Sequence, residues 1–324
     1  MNRSIVRRAL LSGLGAASFV RMAQAQPAYP SRPIRFVVPY SAGGAVDVVA
    51  RAIGQSMTED LGQQIIIDNR TGANTAIGAD YVAHARPDGY TLMISGSTTM
   101  VLGPLLYKKL PYRPSDFAPV SLLTKVAMVA AVNESVKGTL PEIIARIRQA
   151  PNEFTYGHTG MGSIGHLLGE SLFMKYGLRL TSVPYRGFPA TAGDMMAGLV
   201  QMTFESAAAV LPLHRTGKVR IVAVSSPERL PDLPDVPTFV ELGFPDIAFY
   251  AWFAMLAPAG TQDSIIRRLS RAVAVGSADP EYRRLAEGTG QQIANGTPEE
   301  LASLIERDTA RWRPVIEQLN LTLD

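Results

Sequence analysis

The chemically suggestive residues of this 324-residue chain are glycines, hydroxyls and the backbone amides between them. Three stretches place such residues directly after apolar runs. Tyr40-Ser41-Ala42-Gly43-Gly44 follows Ile34-Arg35-Phe36-Val37-Val38, a run of β-formers closed by Pro39. Ser95-Gly96-Ser97-Thr98-Thr99 follows Thr91-Leu92-Met93-Ile94. Thr159-Gly160-Met161-Gly162-Ser163-Ile164-Gly165-His166 follows Phe154-Thr155-Tyr156-Gly157. Where a helix starts after such a turn, its first N–H groups have no carbonyl partner within the helix, and the helix dipole adds partial positive charge. That is a seat for an anion. An ordinary strand–turn–helix connection is the alternative reading of the first stretch, in which Asp47 simply complements the dipole of the helix it opens.

Other chemistry is poorly supported. The four histidines (His84, His158, His166 and His214) have no metal-ligand spacing, and there is no cysteine. No G-x-S-x-G is present; Met161 stands where its first glycine would be. Gly217-Lys218 is followed by Val219, so there is no P-loop. Gly160, Gly162 and Gly165 spell G-x-G-x-x-G. The carboxylate required about 20 residues later is missing, and Arg179 is the charged residue in that region. No metal and no cofactor is expected. His166 reads either as a polar group lining a cleft or as a helix-surface or capping residue. Arg186, after the strand Thr181–Pro184, is either a partner for a carboxylate or an exposed arginine. Glu205, ending the strand Gln201–Glu205, is placed to receive a ligand amine or hydroxyl or to pair with a protein cation.

Alternating elements must position these residues. Helical spacing covers Val46–Leu61, Ile77–Ala85, Ser163–Tyr176, Ala190–Ala197, Ala207–Arg215, Ser264–Ala278 and Pro280–Ala286. Thr139-Leu140-Pro141-Glu142 and Thr297-Pro298-Glu299-Glu300 are capping boxes opening helices to Gln149 and Leu319. Further strands are expected at Gln64–Asp68, Phe117–Thr124, Met128–Val132, Val219–Val224 and Ala248–Leu256. Repeated βα units predict parallel sheets with helices on both faces, and ligands beyond the carboxyl ends of the strands. The extended segments near Thr124–Val132 and Ala248–Leu256 are where the chain is expected to cross between two lobes. Lobe one would comprise 26–125 with 246–324, and lobe two 126–245.

Residues 1–25 read as a secretory signal. Arg3, Arg7 and Arg8 precede the apolar run Ala9–Val20, and Ala23-Gln24-Ala25 forms an A-x-A cleavage site. Removing Arg3, Arg7, Arg8 and Arg21 leaves 27 basic and 28 acidic residues, a balance of −1. The basic character of the whole chain therefore belongs largely to the signal, and nucleic acid is not an expected partner.

The motifs resemble those of the solute-binding receptors of the tripartite tricarboxylate transporter system, the Bug-type periplasmic receptors. Tyr29-Pro30-x-Arg32-Pro33-Ile34, Pro39-Tyr40-Ser41-Ala42-Gly43-Gly44-x-x-Asp47 and Asn69-Arg70 carry the first part. Pro87-Asp88-Gly89-Tyr90-Thr91-Leu92, Gly160-x-Gly162-Ser163-x-x-His166-Leu167, Pro184-Tyr185-Arg186-Gly187 and Ala257-Pro258-Ala259-Gly260-Thr261 continue it. The resemblance implies a type II, Venus-flytrap fold of two α/β lobes, each a mainly parallel sheet flanked by helices. The lobes would close over a small carboxylate: an amino acid, a di- or tricarboxylate, or an aromatic acid. It further implies delivery of the ligand to integral-membrane transporter subunits by a monomer in the periplasm. Carried onto this chain, the site would comprise Tyr40, Ser41, Gly43, Gly44, Asp47, Ser97, Thr98 and Thr99 on one lobe. Thr159, Met161, Gly162, Ser163, His166, Tyr185 and Arg186 would face them, with Glu205 on the variable side of the cleft. The family pattern often has Asp where Gln201 and Glu205 stand, and a proline and a glycine pair where Thr71 and Asn74-Thr75 stand. Ligand sensing for a signalling partner and secreted hydrolysis are the alternative functions.

Overall fold

The computed structural model describes residues 29–324; the signal segment 1–25 lies outside the described residues. The first lobe opens with β1 (Ile34–Val38), α1 (Ala45–Leu61), β2 (Ile65–Asn69), α2 (Ala76–Ala83) and β3 (Thr91–Gly96). The strands β2, β1 and β3 lie side by side in that order, all parallel. β1 is nearly continuously apolar because helices cover both of its faces. α1 buries Val46, Val49, Ala50, Ile53, Met57 and Leu61 on one side. It stops at Gly62, whose φ of +64° closes the last turn through an N–H to the Thr58 carbonyl.

After β3 the chain makes a wide π-helical turn (Thr98–Leu102) and a short α3 (Gly103–Leu106), where the sequence predicts only a loop. Ser-Thr-Thr is weak helix material, so nothing local announces it. β4 (Phe117–Asn133) then runs unbroken for 17 residues, joining the two extended segments expected separately.

The second lobe repeats the plan with α4 (Leu140–Gln149), β5 (Thr155–His158), α5 (Ile164–Lys175), β6 (Thr181–Pro184), α6 (Phe188–Met196), β7 (Met202–Ser206), α7 (Ala207–Arg215) and β8 (Val219–Val224). Its parallel trio has the order β6-β5-β7, matching β2-β1-β3. The chain returns through β9 (Tyr250–Pro258), α8 (Asp263–Gly276), α9 (Pro280–Gly288), β10 (Gln292–Gly296) and α10 (Pro298–Gln318). The strand β10 escapes a sequence reading because Gln-Ile-Ala-Asn-Gly has neither alternation nor β-formers in number.

Each parallel trio is extended by antiparallel strands that the two halves share. β9 lies between β3 and β4, and β4 in turn lies between β7 and β8. β4 pairs with β9 through Ala127, and its pairing with β7 begins at Met128. These two strands are the physical connection between the halves. Trp252 on β9 is fully buried and donates its indole N–H to Asp308 of α10 at 2.7 Å, which ties the C-terminal helix over the junction. No helix among the described residues is long and apolar enough to cross a membrane.

Both capping boxes form. Thr297 donates its N–H to Glu300 at 2.8 Å, and Glu300 returns its N–H to the Thr297 hydroxyl at 3.2 Å. Thr297→Ala is expected to lower stability by about 1 kcal/mol, read as a small fall in the urea midpoint with an unchanged m-value.

Candidate functional site

In a sheet of order 2-1-3 the chain reverses direction between strands 1 and 3, leaving a crevice beyond their carboxyl ends. This protein has two such crevices, and they open onto one cavity of about 480 Å³. From the first lobe come Ala45, the first residue of α1, and Thr98, just past β3. From the second come the Thr159–Gly165 segment between β5 and α5, and Glu205-Ser206 between β7 and α7. Val126, Met128, Ala251 and Phe253 of the crossing strands form the floor. Three helix heads, those of α1, α5 and α7, therefore face the same space.

The amides that are free there differ from those expected. The Gly43 N–H is held by the Asp47 carboxylate at 2.9 Å, and the Gly44 N–H by the Ser41 carbonyl at 3.2 Å. The Gly162 N–H is taken by Nδ1 of His166 at 3.1 Å, and the Ser163 N–H by the Gly160 carbonyl at 3.1 Å. The glycine turns thus use their own donors to hold their shape. What remain are the first N–H groups of the helices that follow, those of Ala45 and Val46 and of Ile164 and Gly165; Ala45, Ile164 and Gly165 line the cavity. No helical carbonyl reaches these groups.

Of the residues proposed from the sequence, Thr98, Thr159, Met161, Gly162, Ser163 and Glu205 line the cavity. The others stand behind it or beside it. Asp47 is buried. It receives Arg51 at 2.8 Å and Asn69 at 2.9 Å besides the Gly43 N–H, so it knots the first loop. Burial alone would raise its pKa; these three donors outweigh burial and hold it below the usual carboxylate range. Ser41, Gly43 and Gly44 lie exposed on the turn and do not line the cavity. Tyr40 sets its ring edge-on to Phe253 at 5.9 Å and braces that floor residue. Ser97 and Thr99 are buried, and the Thr99 hydroxyl donates to Thr75 at 2.8 Å. Tyr185 gives its hydroxyl to Asp194 at 2.6 Å. Arg186 is exposed at the carboxyl edge of β6, outside the wall.

His166 likewise works from behind. It is buried beside His158, ring centroids 4.4 Å apart, and each imidazole accepts a backbone N–H through Nδ1: Gly160 onto His158 and Gly162 onto His166. The Ser163 hydroxyl caps α5 by accepting the His166 N–H at 3.2 Å. The Ser163 side chain and the His166 ring therefore do not form a nucleophile–base pair. Burial, then neighbouring His158, lowers the His166 pKa to about 4. The folded protein keeps this ring neutral, whereas the unfolded chain protonates it near its ordinary value of 6.5. Stability is therefore complete above about pH 6.5 and is lost as the pH falls towards 4, by up to about 3 kcal/mol. In urea titrations across this window His166→Asn, which keeps an acceptor and removes the proton site, should flatten the slope. An unchanged slope would place the acid sensitivity elsewhere.

Five wall residues had no motif to reveal them: Asn74, Tyr107, Phe253, Thr289 and Gln291. Asn74 reaches the cavity on a turn where Ala73, Asn74 and Thr75 all have positive φ (44°, 46° and 79°). Such a run is costly without glycine; the Thr99–Thr75 hydroxyl contact helps to hold it. Gln291 spans the gap behind the wall, donating to the Ala45 carbonyl at 3.0 Å and accepting from Thr124 at 2.5 Å. Among the described lining residues there is no lysine, arginine or histidine, and Glu205 is the single acid.

The family model described as the tripartite tricarboxylate transporter family receptor matches residues 49–321. Protein BugT of Bordetella pertussis is 34% identical over 300 residues, covering 91% of each chain. Two similar solved structures come from Rhodopseudomonas palustris. Rpa4515 with adipate is 33% identical with a TM-score of 0.76, over 91% of this chain and 99% of that one. MatC (Rpa3494) with bound malate is 31% identical with a TM-score of 0.74, over 89% and 100%.

Proposed function

This chain belongs to the tripartite tricarboxylate transporter receptor family, and from that premise we propose that it captures a small carboxylate between its lobes and delivers it to the membrane subunits of such a transporter. The observation that carries this reading is the convergence of three helix heads on one cavity with no cationic side chain. Each head contributes roughly half a positive charge together with directed N–H donors. Backbone donors of this kind suit a carboxylate, because they grip one end and leave the rest of the ligand to the other wall residues. The malate and adipate bound by the two relatives support the ligand class.

Lobe one, residues 26–125 with 246–324, and lobe two, residues 126–245, would swing about β4 at Ala127-Met128, where its pairing passes from β9 to β7, and about the start of β9. A ligand touching both lobes favours the closed arrangement because only that arrangement makes both sets of contacts. The matching relatives include a structure described as a periplasmic binding protein, and the A-x-A site after Ala25 supports export to the same compartment.

A thermal-shift screen of organic acids tests the reading. At least one acid should raise the melting temperature with the concentration dependence of mass action, and small-angle scattering should show contraction with that acid. If neutral sugars or amides stabilise the protein and no acid does, the reading is wrong.

A further inference from the structure

We propose that the ligand carries a protonated amine as well as its carboxylate, so that among small acids this receptor selects zwitterionic amino acids over dicarboxylates of equal length. The proposal rests on the carboxylate reading above and adds what Glu205, in the same wall, contributes. The helix heads of α1 and α5 supply the donors for one carboxylate. The remaining wall holds Glu205, with Tyr107 and Phe253. Glu205 spends one oxygen on its neighbour, accepting the Ser206 N–H at 2.7 Å, and among the described residues it has no cationic partner. Its other oxygen is thus available to an incoming donor.

The charge balance decides between ligand classes. A dianion brings a second negative charge towards a fixed carboxylate with no lysine, arginine or histidine in the wall to offset it. Two like charges a few ångströms apart in a partly desolvated site repel strongly enough to weaken binding by roughly 100-fold or more, and an ammonium in the same place is attracted by as much. Aromatic faces act in the same direction, since the ring quadrupole draws cations and repels anions. Burial raises the Glu205 pKa; pairing with an ammonium is the arrangement that recovers the charged form.

Calorimetric titration at about pH 7.5 with matched pairs (4-aminobutyrate against succinate, 5-aminovalerate against glutarate, 6-aminohexanoate against adipate) tests this. In at least one pair the amino acid should bind about 10-fold tighter or more, and Glu205→Gln should cut that preference at least ~10-fold while leaving the melting temperature of the free protein within a few degrees. Dicarboxylates binding more tightly, or a preference that survives Glu205→Gln, would overturn the amine assignment while leaving the carboxylate reading intact. No binding by any acid would overturn both.

Discussion

Ser163→Asp is expected to destroy acid binding while leaving the fold as stable as before. Ser163 caps α5 with its hydroxyl, and aspartate caps a helix as well as serine does. A carboxylate at a helix N-terminus also suits the dipole, so melting should be unchanged or slightly raised. The same carboxylate would occupy the place proposed for the ligand's own. Like charges about 4 Å apart repel by about 4 kcal/mol at an effective dielectric of about 20, and even half of that is a loss of more than ~10-fold. We expect at least ~100-fold, measured by calorimetric titration with whichever acid binds best. Ser163→Asn keeps the cap without the charge and should bind within about 10-fold of the parent. An Asp variant with undiminished affinity would remove the α5 head from the binding site.

Gly165→Val should damage both stability and binding. A Cβ at this position would stand 2.1 Å from the Phe204 carbonyl oxygen, a backbone atom that cannot rotate away. A Cβ added at Gly169, one turn later, would meet the Phe204 and Tyr156 rings at 2.9 Å. α5 therefore lies directly on β7 and β5, and that contact sets where its head points. A side chain at 165 must lift the helix, at a cost at or above the upper end of the ~1–3 kcal/mol usual for overpacking. The melting temperature should fall by about 5–10 °C, and acid affinity should fall with it even at temperatures where the variant is folded. Gly193→Ala is the counter-case. It sits in α6, and a methyl group added there would meet nothing within 4 Å, so alanine should stabilise by about 0.5–1 kcal/mol. If Gly193→Ala and Gly165→Val behave alike, glycine's backbone entropy, and not close packing, governs both.

The strand–helix alternation and both capping boxes were legible because each is written locally: apolar spacing, a threonine, a glutamate three residues on. The carboxyl-end loops were legible for the same reason, and six of the proposed residues do line the cavity. What could not be read was which groups face inward. Gly43 and Gly162 look like free donors in a sequence, yet their N–H groups are consumed by Asp47 and His166. Those two side chains, counted with the site from the resemblance, hold the loops from behind the cavity. The distinction depends on where a side chain four residues along the helix folds back, and no residue type announces that. The shared use of β4 by both sheets was equally hidden, since its 17 residues read as two strands. Gln291 and Thr289 belong to the wall through pairing of β10 with β4, a contact spanning more than 160 residues of sequence.

The most direct test of the account is a TROSY titration of the ¹⁵N-labelled protein with the acid that gives the largest thermal shift. The amides of Ala45, Val46, Ile164 and Gly165 should move furthest and downfield, saturating together with one dissociation constant, while Gly43 and Gly162, already bonded within the protein, move less. Saturable binding that leaves the four helix-head amides in place, with the shifts gathered on some other surface, would contradict it.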